Sequence, residues 1–507
     1  MTVHFKKNSL LYISLLILLF FSFFLYFFTL ETYEQIEVFS LFIRQWFGRF
    51  YLWLGLGCVL LLIALLISPL RKRRLGTSAD KPEFSNLAWI SMLYSAGMGA
   101  GILLRAVQEP VFMMQHPPII NDRPIATTAL EYTFYQWGFT AWAFYTIFAI
   151  VIGHYLFKRS KKVLPSSAFS AVESVFASKK HQNILLKCID ILAILTTVFG
   201  LVAAIGLGTT QIEGGLHHLF QFDFGTNGTI SILFIISIVA FLSVFKGVHK
   251  GIKLISTWNI YITIALLFFV FVQGDMIAII TQFVTSLYYY IIDFIPLSLA
   301  LGTYNPGEQF LTDWTYYYWA FWLAWAPFTG IFIARISKGR TLRELIIGVL
   351  LVPSLGTFFW FTVFGESAFQ IIHTLSNYSG EFDNVFSSIF IFLENYPFQG
   401  MINMITILLL ISFLVTSLDS AIFVLSMFTD HGKQNPSKKH RILWSIILTI
   451  FAIGILLLGN IREDIDVLIA MQKLLIITSL PFSLFMVIMI LLFIKDFKKE
   501  EDTIVTK

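Results

Sequence analysis

The sequence predicts an all-α polytopic membrane protein, and its composition and its apolar runs are the first two observations behind that prediction. Hydrophobic residues make up 57% of the 507 positions and charged residues only 13%, which is too little polar surface to cover a soluble fold. The chain also contains apolar runs of about 20 residues, the length that crosses a bilayer as a helix. We count twelve, centred near residues 20, 60, 100, 146, 198, 237, 263, 324, 356, 413, 450 and 482.

The distribution of basic residues is the third observation, and it supports twelve transmembrane helices with both termini in the cytoplasm. If the N-terminus is cytoplasmic and the spans alternate in direction, the cytoplasmic segments contain 29 of the 35 Lys and Arg residues. The first run ends in FSFFLYFFTLE and lacks a small-residue cleavage site, so we expect a retained span there. The segment between the seventh and eighth runs is interrupted by Asp293 and Pro296 and predicts an interfacial connector.

The sequence shows none of the catalytic motifs that would indicate an enzyme. The sequence contains no HExxH pair, no phosphate-binding GxxxxGK[ST] loop and no nucleophile elbow. We therefore expect a protein that is not an enzyme, with no cofactor, whose partners are the lipid bilayer and a small molecule rather than a nucleic acid.

The third run contains glycines in alternate positions, Gly97, Gly99 and Gly101, followed by Arg105 and the pair Glu109–Pro110. Glycines at this spacing do not share one helix face, so only Gly97 and Gly101 fit a helix-packing motif. One interpretation is a locally unwound helix that exposes backbone carbonyls to an ion or substrate. The alternative is close packing against a neighbouring helix.

Two runs each predict an aromatic face. On a continuous helix, Trp137, Trp142 and Tyr145 share one side of the fourth span, and Trp319, Trp322 and Trp325 share one side of the eighth. Ordinary core packing is one interpretation of these faces. The other is a quaternary ammonium site, because indole has an electron-rich face that stabilises a desolvated cation by about 0.5–2 kcal/mol or more per contact.

The tenth run carries hydroxyls at membrane depth within VTSLDSA, notably Thr416 and Ser417. Such hydroxyls bond to carbonyls of their own helix in one interpretation. In the other they join unwound carbonyls of the third span as hard oxygen ligands, which suit Na⁺.

These motifs together resemble the betaine/carnitine/choline transporter family. The resemblance covers about residues 85 to 490, and its most specific parts are SAGMGAG with the following EP, and WAFWLAWAPFTGIFIARISKGRTLRE; TVFG, GLG and VTSLDSA add weaker support. It implies a LeuT-like core of two inverted five-helix repeats with broken helices. The implied organisation is two N-terminal helices (1–84), a first repeat (85–273), the connector (274–314), a second repeat (315–494) and a short cytoplasmic tail (495–507).

The resemblance also implies roles for individual residues. It assigns the substrate's aromatic box to Trp137, Trp142, Tyr145 and Trp322, and the inward path to Trp325, which Phe328 follows as in the family. It assigns a sodium site to the backbone at Ser95, Met98 and Phe413 and to the hydroxyls of Thr416 and Ser417. A second sodium site, which would include Thr197 and Phe328, lacks its second hydroxyl because that position is Leu201.

Three further positions bear on coupling and recognition. Arg105 stands where the family usually has an uncharged residue, and it could replace a coupling cation, anchor a carboxylate, pair with Glu213, or form a structural ion pair. Phe321 stands at a position of the family signature where tryptophan is usual. Gly101 matches the sodium-coupled carriers and favours Na⁺ over H⁺.

The expected function is import of a trimethylammonium compound, with glycine betaine first, by a Na⁺-coupled secondary transporter. The resemblance places it in a bacterial cytoplasmic membrane, as a homotrimer. Alternatives within the family are a sodium-independent exchanger and a proton-coupled carrier of choline or carnitine. Alternatives outside this substrate class are a channel or structural scaffold, and an amino-acid carrier.

Overall fold

The structure, a computed structural model, describes residues 8–77, 79–158, 164–167, 179–246, 249–375, 378–433, 435–459 and 467–505. Within these ranges the elements are helical, apart from an isolated antiparallel bridge between Arg74 and Thr341. In chain order the helices are α1 (Ser9–Phe27), α2 (Thr29–Ile67), α3 (Asn86–Met98), α4 (Gly101–Arg105), α5 (Gln108–Gln115), α6 (Ile125–Trp137), α7 (Phe139–Lys158), α8 (Lys179–Phe220), α9 (Gly225–Lys246), α10 (His249–Gln273), α11 (Met276–Ile292), α12 (Phe294–Ser298), α13 (Glu308–Phe310), α14 (Tyr317–Ile336), α15 (Leu342–Ile346), α16 (Val352–Thr374), α17 (Ser388–Leu393), α18 (Gln399–Thr429), α19 (Lys438–Leu458) and α20 (Val467–Val505).

In the part of the chain that the structure describes, eleven helical segments are long and apolar enough to cross a membrane. They are α1, α2, α6 with α7, α8, α9, α10, α13 with α14, α15 with α16, α18, α19 and α20. Eleven of the twelve predicted centres fall within them. The centre near residue 100 falls between α3 and α4, in a segment of three short helices. The chain is therefore an all-α, multi-pass membrane protein.

The third apolar run is interrupted at Gly99, as expected from its alternate glycines. α3 ends at Met98, Gly99 has φ +36° and ψ −152°, and α4 begins at Gly101. A residue with a Cβ is strained at this positive φ, so glycine is what permits the chain to change direction here. Carbonyls at the end of α3 lose their partners in the next helical turn and become available to other donors or to a cation.

A second interruption, at Gly138 between α6 and α7, was not predicted from the sequence. Its φ of −99° and ψ of −132° are not helical. A Cβ on Gly138 would lie 2.4 Å from the Phe358 ring and 2.5 Å from the carbonyl oxygen of Phe134, so a larger residue would clash. The expectation that Trp137, Trp142 and Tyr145 share a face assumed a continuous helix, and this break removes that assumption.

The interior of the bundle is formed by the two segments that carry the predicted aromatic faces. In their most apolar stretches, 94% of the residues of α6–α7 and 83% of those of α13–α14 are buried, against 28% for α9 and 22% for α10. α14 packs against α7, α8 and α20, and α18 packs against α8. The aromatic faces therefore lie at the centre, whereas α9 and α10 present apolar side chains at the periphery.

The predicted connector contains α11 and α12. α11 leaves one stripe of large side chains exposed and buries another, a pattern typical of a helix that lies along a membrane surface. The exposed side chains include Ile277, Ile280, Val284, Tyr288 and Ile291. The guanidinium of Arg123 ties the connector to α6, because it lies 2.5 Å from Asp293 Oδ2 and 3.1 Å from Glu131 Oε2.

Candidate functional site

A cavity lies in the middle of the bundle, between α4, α6, α7, α8, α14 and α18. Its lining brings together residues from most of the regions that the sequence singled out. The predicted residues that line it are Gly99, Gly101, Arg105, Trp137, Tyr145, Trp322, Trp325 and Ser417, and Phe321 and Leu201 line it as well.

Trp322 is the centre of an aromatic wall in this cavity. Its ring centroid lies 5.3 Å from that of Trp137 and 5.9 Å from that of Tyr145, with interplanar angles of 77° and 81°. Edge-to-face contacts of this kind are favourable for aromatic pairs, so the three rings stabilise one another's orientation. We call these three residues, Trp137, Tyr145 and Trp322, the aromatic wall.

The indole nitrogens of the cavity are all hydrogen-bonded away from it. Trp322 donates to the carbonyl of Gln136 at 2.9 Å, and Trp325 donates to the carbonyl of Gly200 at 3.1 Å. Trp137 donates to the carboxylate of Glu109 at 3.1 Å. A leucine side chain has no N–H and could not be fixed in this way. The hydrogen bonds hold each ring in place while its carbon faces remain available to a ligand.

Two indoles of the predicted faces do not line the cavity. Trp142 is buried behind Tyr145, with ring centroids 5.7 Å apart and planes at 88°. Trp319 is fully buried and packs edge-on against Tyr135 at 4.9 Å, beside Gly55 of α2. The structure thus gives both of them packing positions, and the box that the resemblance implies has three of its four members at the cavity.

Glu109 and Tyr318 are site residues that the sequence analysis did not assign. Glu109 is fully buried, and its Oε2 accepts hydrogen bonds from the Tyr318 hydroxyl and from the Trp137 indole. Tyr318 lines the cavity one helical turn before Trp322, and the two rings are stacked at 6.4 Å. The signals that could have found the pair are the buried acid at membrane depth and the four-residue spacing.

Arg105 is buried and lines the cavity from α4. Its Nη1 donates to Gln108 Oε1 at 2.7 Å, and the guanidinium lies 5.0 Å from the centroid of the Trp314 ring. Glu213, which was considered as a partner for Arg105, lies instead in a group with His217 and Asp223, whose ligand atoms are all within 4.8 Å of one another. These contacts hold Arg105 beside the cavity without blocking it.

One predicted sodium ligand of the tenth span, Ser417, lies beside the break in the third span. Ser417 lines the cavity, and a Cβ added at Gly99 would lie 3.8 Å from Ser417 Oγ. The Thr416 hydroxyl donates to the carbonyls of Ser412 and Phe413 at 2.9 and 3.1 Å. Thr416 therefore bonds to carbonyls of its own helix, as in the first interpretation of these hydroxyls. Donating its hydrogen still leaves the lone pairs of its oxygen free to bind a cation.

The remaining predicted ligands are only partly described. Ser95, Gly97 and Met98 belong to α3, but their side chains and burial lie outside the described part of the structure. The buried hydroxyl of Thr197 has no hydrogen-bond partner among the described residues. Leu201, one turn further along α8, presents an apolar side chain to the cavity, and Phe328 packs edge-on against Trp325 at 5.8 Å. This second site offers a single hydroxyl.

Comparisons with known proteins identify the family to which the chain belongs. The model of the BCCT family, described as the betaine/carnitine/choline family transporter, matches residues 9–502. The chain is 35% identical over 467 residues to the glycine betaine transporter OpuD of Bacillus subtilis (strain 168), covering 90% of this chain and 88% of that protein.

Two further relatives have similar coverage. A probable glycine betaine transporter of Desulfitobacterium hafniense (strain Y51) is 31% identical over 494 residues, covering 96% of this chain and 97% of the relative. An ectoine/hydroxyectoine transporter of Virgibacillus pantothenticus is 32% identical over 463 residues, covering 90% and 89%. The chain belongs to the betaine/carnitine/choline transporter family, and it is a membrane transporter rather than an enzyme.

Proposed function

We propose that the protein is a secondary active transporter that imports a trimethylammonium compound, with glycine betaine as the preferred substrate, by alternating access. The observation that carries this proposal is the aromatic wall, because its fixed, desolvated rings suit a cation that has no N–H to donate. The names of the relatives support the choice of substrate, since two of them are described as carriers of glycine betaine.

The proposed architecture has twelve spans, with the interrupted segment α3–α5 as the third. The two inverted repeats would begin with this segment and with α13–α14. Both openings are irregular, the first at Gly99 and the second in the π-helical turn Leu311–Tyr316. Broken helices beside a central substrate site are a common device of inverted-repeat transporters. We place both termini in the cytoplasm of a bacterium, and we propose a homotrimer on the family resemblance alone.

Coupling to Na⁺ is part of the proposal, with one ion rather than two. The approach of Ser417 to the break at Gly99 supports one site of oxygen ligands, and the free lone pairs of Thr416 suit it. Leu201 supplies no ligand for a second site. A sodium-independent exchanger is the second candidate, and one observation favours it: Arg105 is a fixed cation beside the cavity.

Uptake of labelled glycine betaine into proteoliposomes tests both the function and the coupling. An inward Na⁺ gradient should drive accumulation above the external concentration, and replacing Na⁺ by K⁺ should abolish it. Equilibration without accumulation would indicate a channel. Accumulation that is unchanged in K⁺, or that requires internal betaine, would favour the exchanger and contradict sodium coupling.

A further inference from the structure

Gln211 is a polar residue of the cavity to which neither the resemblance nor the motifs assign a role. It belongs to the face of α8 that lines the cavity, together with Leu201, Ala204 and Gly208 at helical spacings of three and four residues. With a rise of 1.5 Å per residue, Gln211 lies about 15 Å along the helix from Leu201. It therefore occupies the opposite end of the cavity from Leu201.

The carboxamide of Gln211 is fully buried, yet neither its oxygen nor its nitrogen has a hydrogen-bond partner among the described residues. Buried amides in folded proteins are normally paired, because an unpaired amide has lost its water without compensation. The group offers two N–H donors and a carbonyl acceptor. A cavity residue with unused donors is suited to pair with an acceptor on a bound ligand.

Arg105 lines the same cavity. The helix that carries it, α4, contacts α8, and Arg105 lies one turn, about 6 Å, beyond Gly101. Gly101 itself is beside the aromatic wall, since a Cβ there would lie 3.5 Å from the Trp137 ring. Arg105 already donates to Gln108. Arg105 contributes positive charge to the cavity, and Gln211 contributes the unused donors.

We propose that Gln211 is a specificity-determining residue whose carboxamide N–H donates to the carboxylate of a zwitterionic substrate. The aromatic wall holds the trimethylammonium group at the same time, an assignment that rests on the proposed function. This arrangement selects betaines over choline, because a hydrogen bond to a carboxylate is stronger than one to a neutral hydroxyl.

Isothermal titration calorimetry of the full-length purified protein with three probes tests the proposal. Gln211→Met keeps the length of the side chain and removes its donors, so it should raise the Kd for glycine betaine about tenfold or more. It should leave the Kd for tetramethylammonium, which has no acceptor, within about twofold. Gln211→Glu should weaken betaine binding further and retain choline, whose hydroxyl can donate to the new carboxylate.

The control is Thr209→Val on the same helix. Thr209 is fully buried, does not line the cavity, and its hydroxyl donates to the carbonyl of Ile205 at 2.7 Å, so all three affinities should stay at wild-type values. Unchanged betaine affinity in Gln211→Met would overturn the proposal, because it would show that the carboxamide pairs with water and not with the substrate. An equal loss of affinity for all three probes would also overturn it, because that result would indicate that Gln211 has a structural role. A wild-type protein that binds no probe would instead contradict the proposed function.

Discussion

Tyr318 donates a hydrogen bond from its hydroxyl to the carboxylate of Glu109, and the same oxygen accepts the indole N–H of Trp137. One buried carboxylate of α5 thereby links a cavity residue of α14 to a cavity residue of α6. Because α5 follows the break at Gly99, this contact also connects the interrupted segment to the aromatic wall. A movement of the interrupted segment would therefore also displace the rings of Tyr318 and Trp137.

Tyr318→Phe should weaken substrate binding although it removes only one oxygen atom. Glu109 would lose one of its two partners, and the loss of a buried hydrogen bond to a charged group costs about 1.5–3 kcal/mol. Because the bond acts on the site indirectly, we expect only about 0.7–1.4 kcal/mol of this loss in binding, so the betaine concentration for half-maximal uptake should rise about threefold to tenfold. Tyr135→Phe is the matched control, since its buried hydroxyl donates to the carbonyl of Ser298 at 3.1 Å outside the cavity. Equal effects of the two variants would argue against a positioning role for Glu109.

Trp322 and Trp319 should behave differently when each is changed to Leu. Trp322→Leu removes the centre of the aromatic wall, so half-maximal uptake should need about tenfold more betaine, with little change in the amount of folded protein. Trp319→Leu leaves a void beside Gly55 and Tyr135, and it should lower thermal stability while sparing affinity. Thermal denaturation and uptake by the same preparations measure both effects. If Trp322→Leu instead lowered thermal stability and spared affinity, the aromatic wall would serve only to pack helices.

Tyr145 and Trp142 provide a test between the structure and the residue roles that the resemblance implies. Tyr145 lines the cavity and Trp142 lies behind it, so Tyr145→Leu should raise the Kd for betaine several-fold more than Trp142→Phe, which we expect to stay within about threefold of wild type. Titration calorimetry gives both constants. A larger loss from Trp142→Phe would show that Trp142 contacts substrate in a state other than this one.

Gly99→Ala should impair transport through the backbone. The residue has φ +36°, where a Cβ is strained by about 1–2 kcal/mol, although the space around it is open apart from Ser417 Oγ at 3.8 Å. We expect lower uptake at normal expression. Gly57→Ala is the control, because it lies in α2 with no heavy atom within 4 Å of the added Cβ. Normal uptake by Gly99→Ala would show that the interruption does not depend on this conformation.

Ser417→Ala should reduce the apparent affinity for Na⁺ more than the affinity for betaine at saturating Na⁺. The variant removes an oxygen that faces the break at Gly99, and the remaining ligands would bind Na⁺ more weakly. Ser426→Ala is the control on the same helix, since that hydroxyl donates to the carbonyl of Ile422 at 2.6 Å and does not line the cavity. Uptake against Na⁺ concentration should follow a Hill coefficient near 1. A coefficient near 2 would show that a second ion binds despite Leu201.

The sequence was informative wherever the membrane imposes a simple rule. Run length predicted twelve spans, and eleven of them coincide with helical segments of the described residues that are long and apolar enough to cross a membrane, because a helix in lipid needs about 20 apolar residues. The alternate glycines left two interpretations open, an unwound helix and close packing, and the structure contains the interruption at Gly99. The resemblance assigned a substrate role to Trp322 and none to Trp319, and in the structure Trp322 lines the cavity whereas Trp319 packs against Tyr135.

The parts that could not be predicted depend on contacts between distant segments. The break at Gly138 follows from the close approach of Phe358, more than 200 positions away, and it changes which rings of α6 and α7 face the cavity. The bond between Glu109 and Tyr318 likewise joins two elements whose distance no helical periodicity reports. Gln211 carried no signal of its own in the sequence, because it stands beside other polar residues of α8, namely Thr209, Thr210 and Glu213.

A structure determined with glycine betaine bound would test the central claim most directly. The account predicts the trimethylammonium group within about 6 Å of the Trp322 ring centroid, between Trp137 and Tyr145, with the carboxylate directed toward Gln211. Betaine bound elsewhere in the bundle, or a cavity closed by these same side chains at saturating betaine, would contradict it.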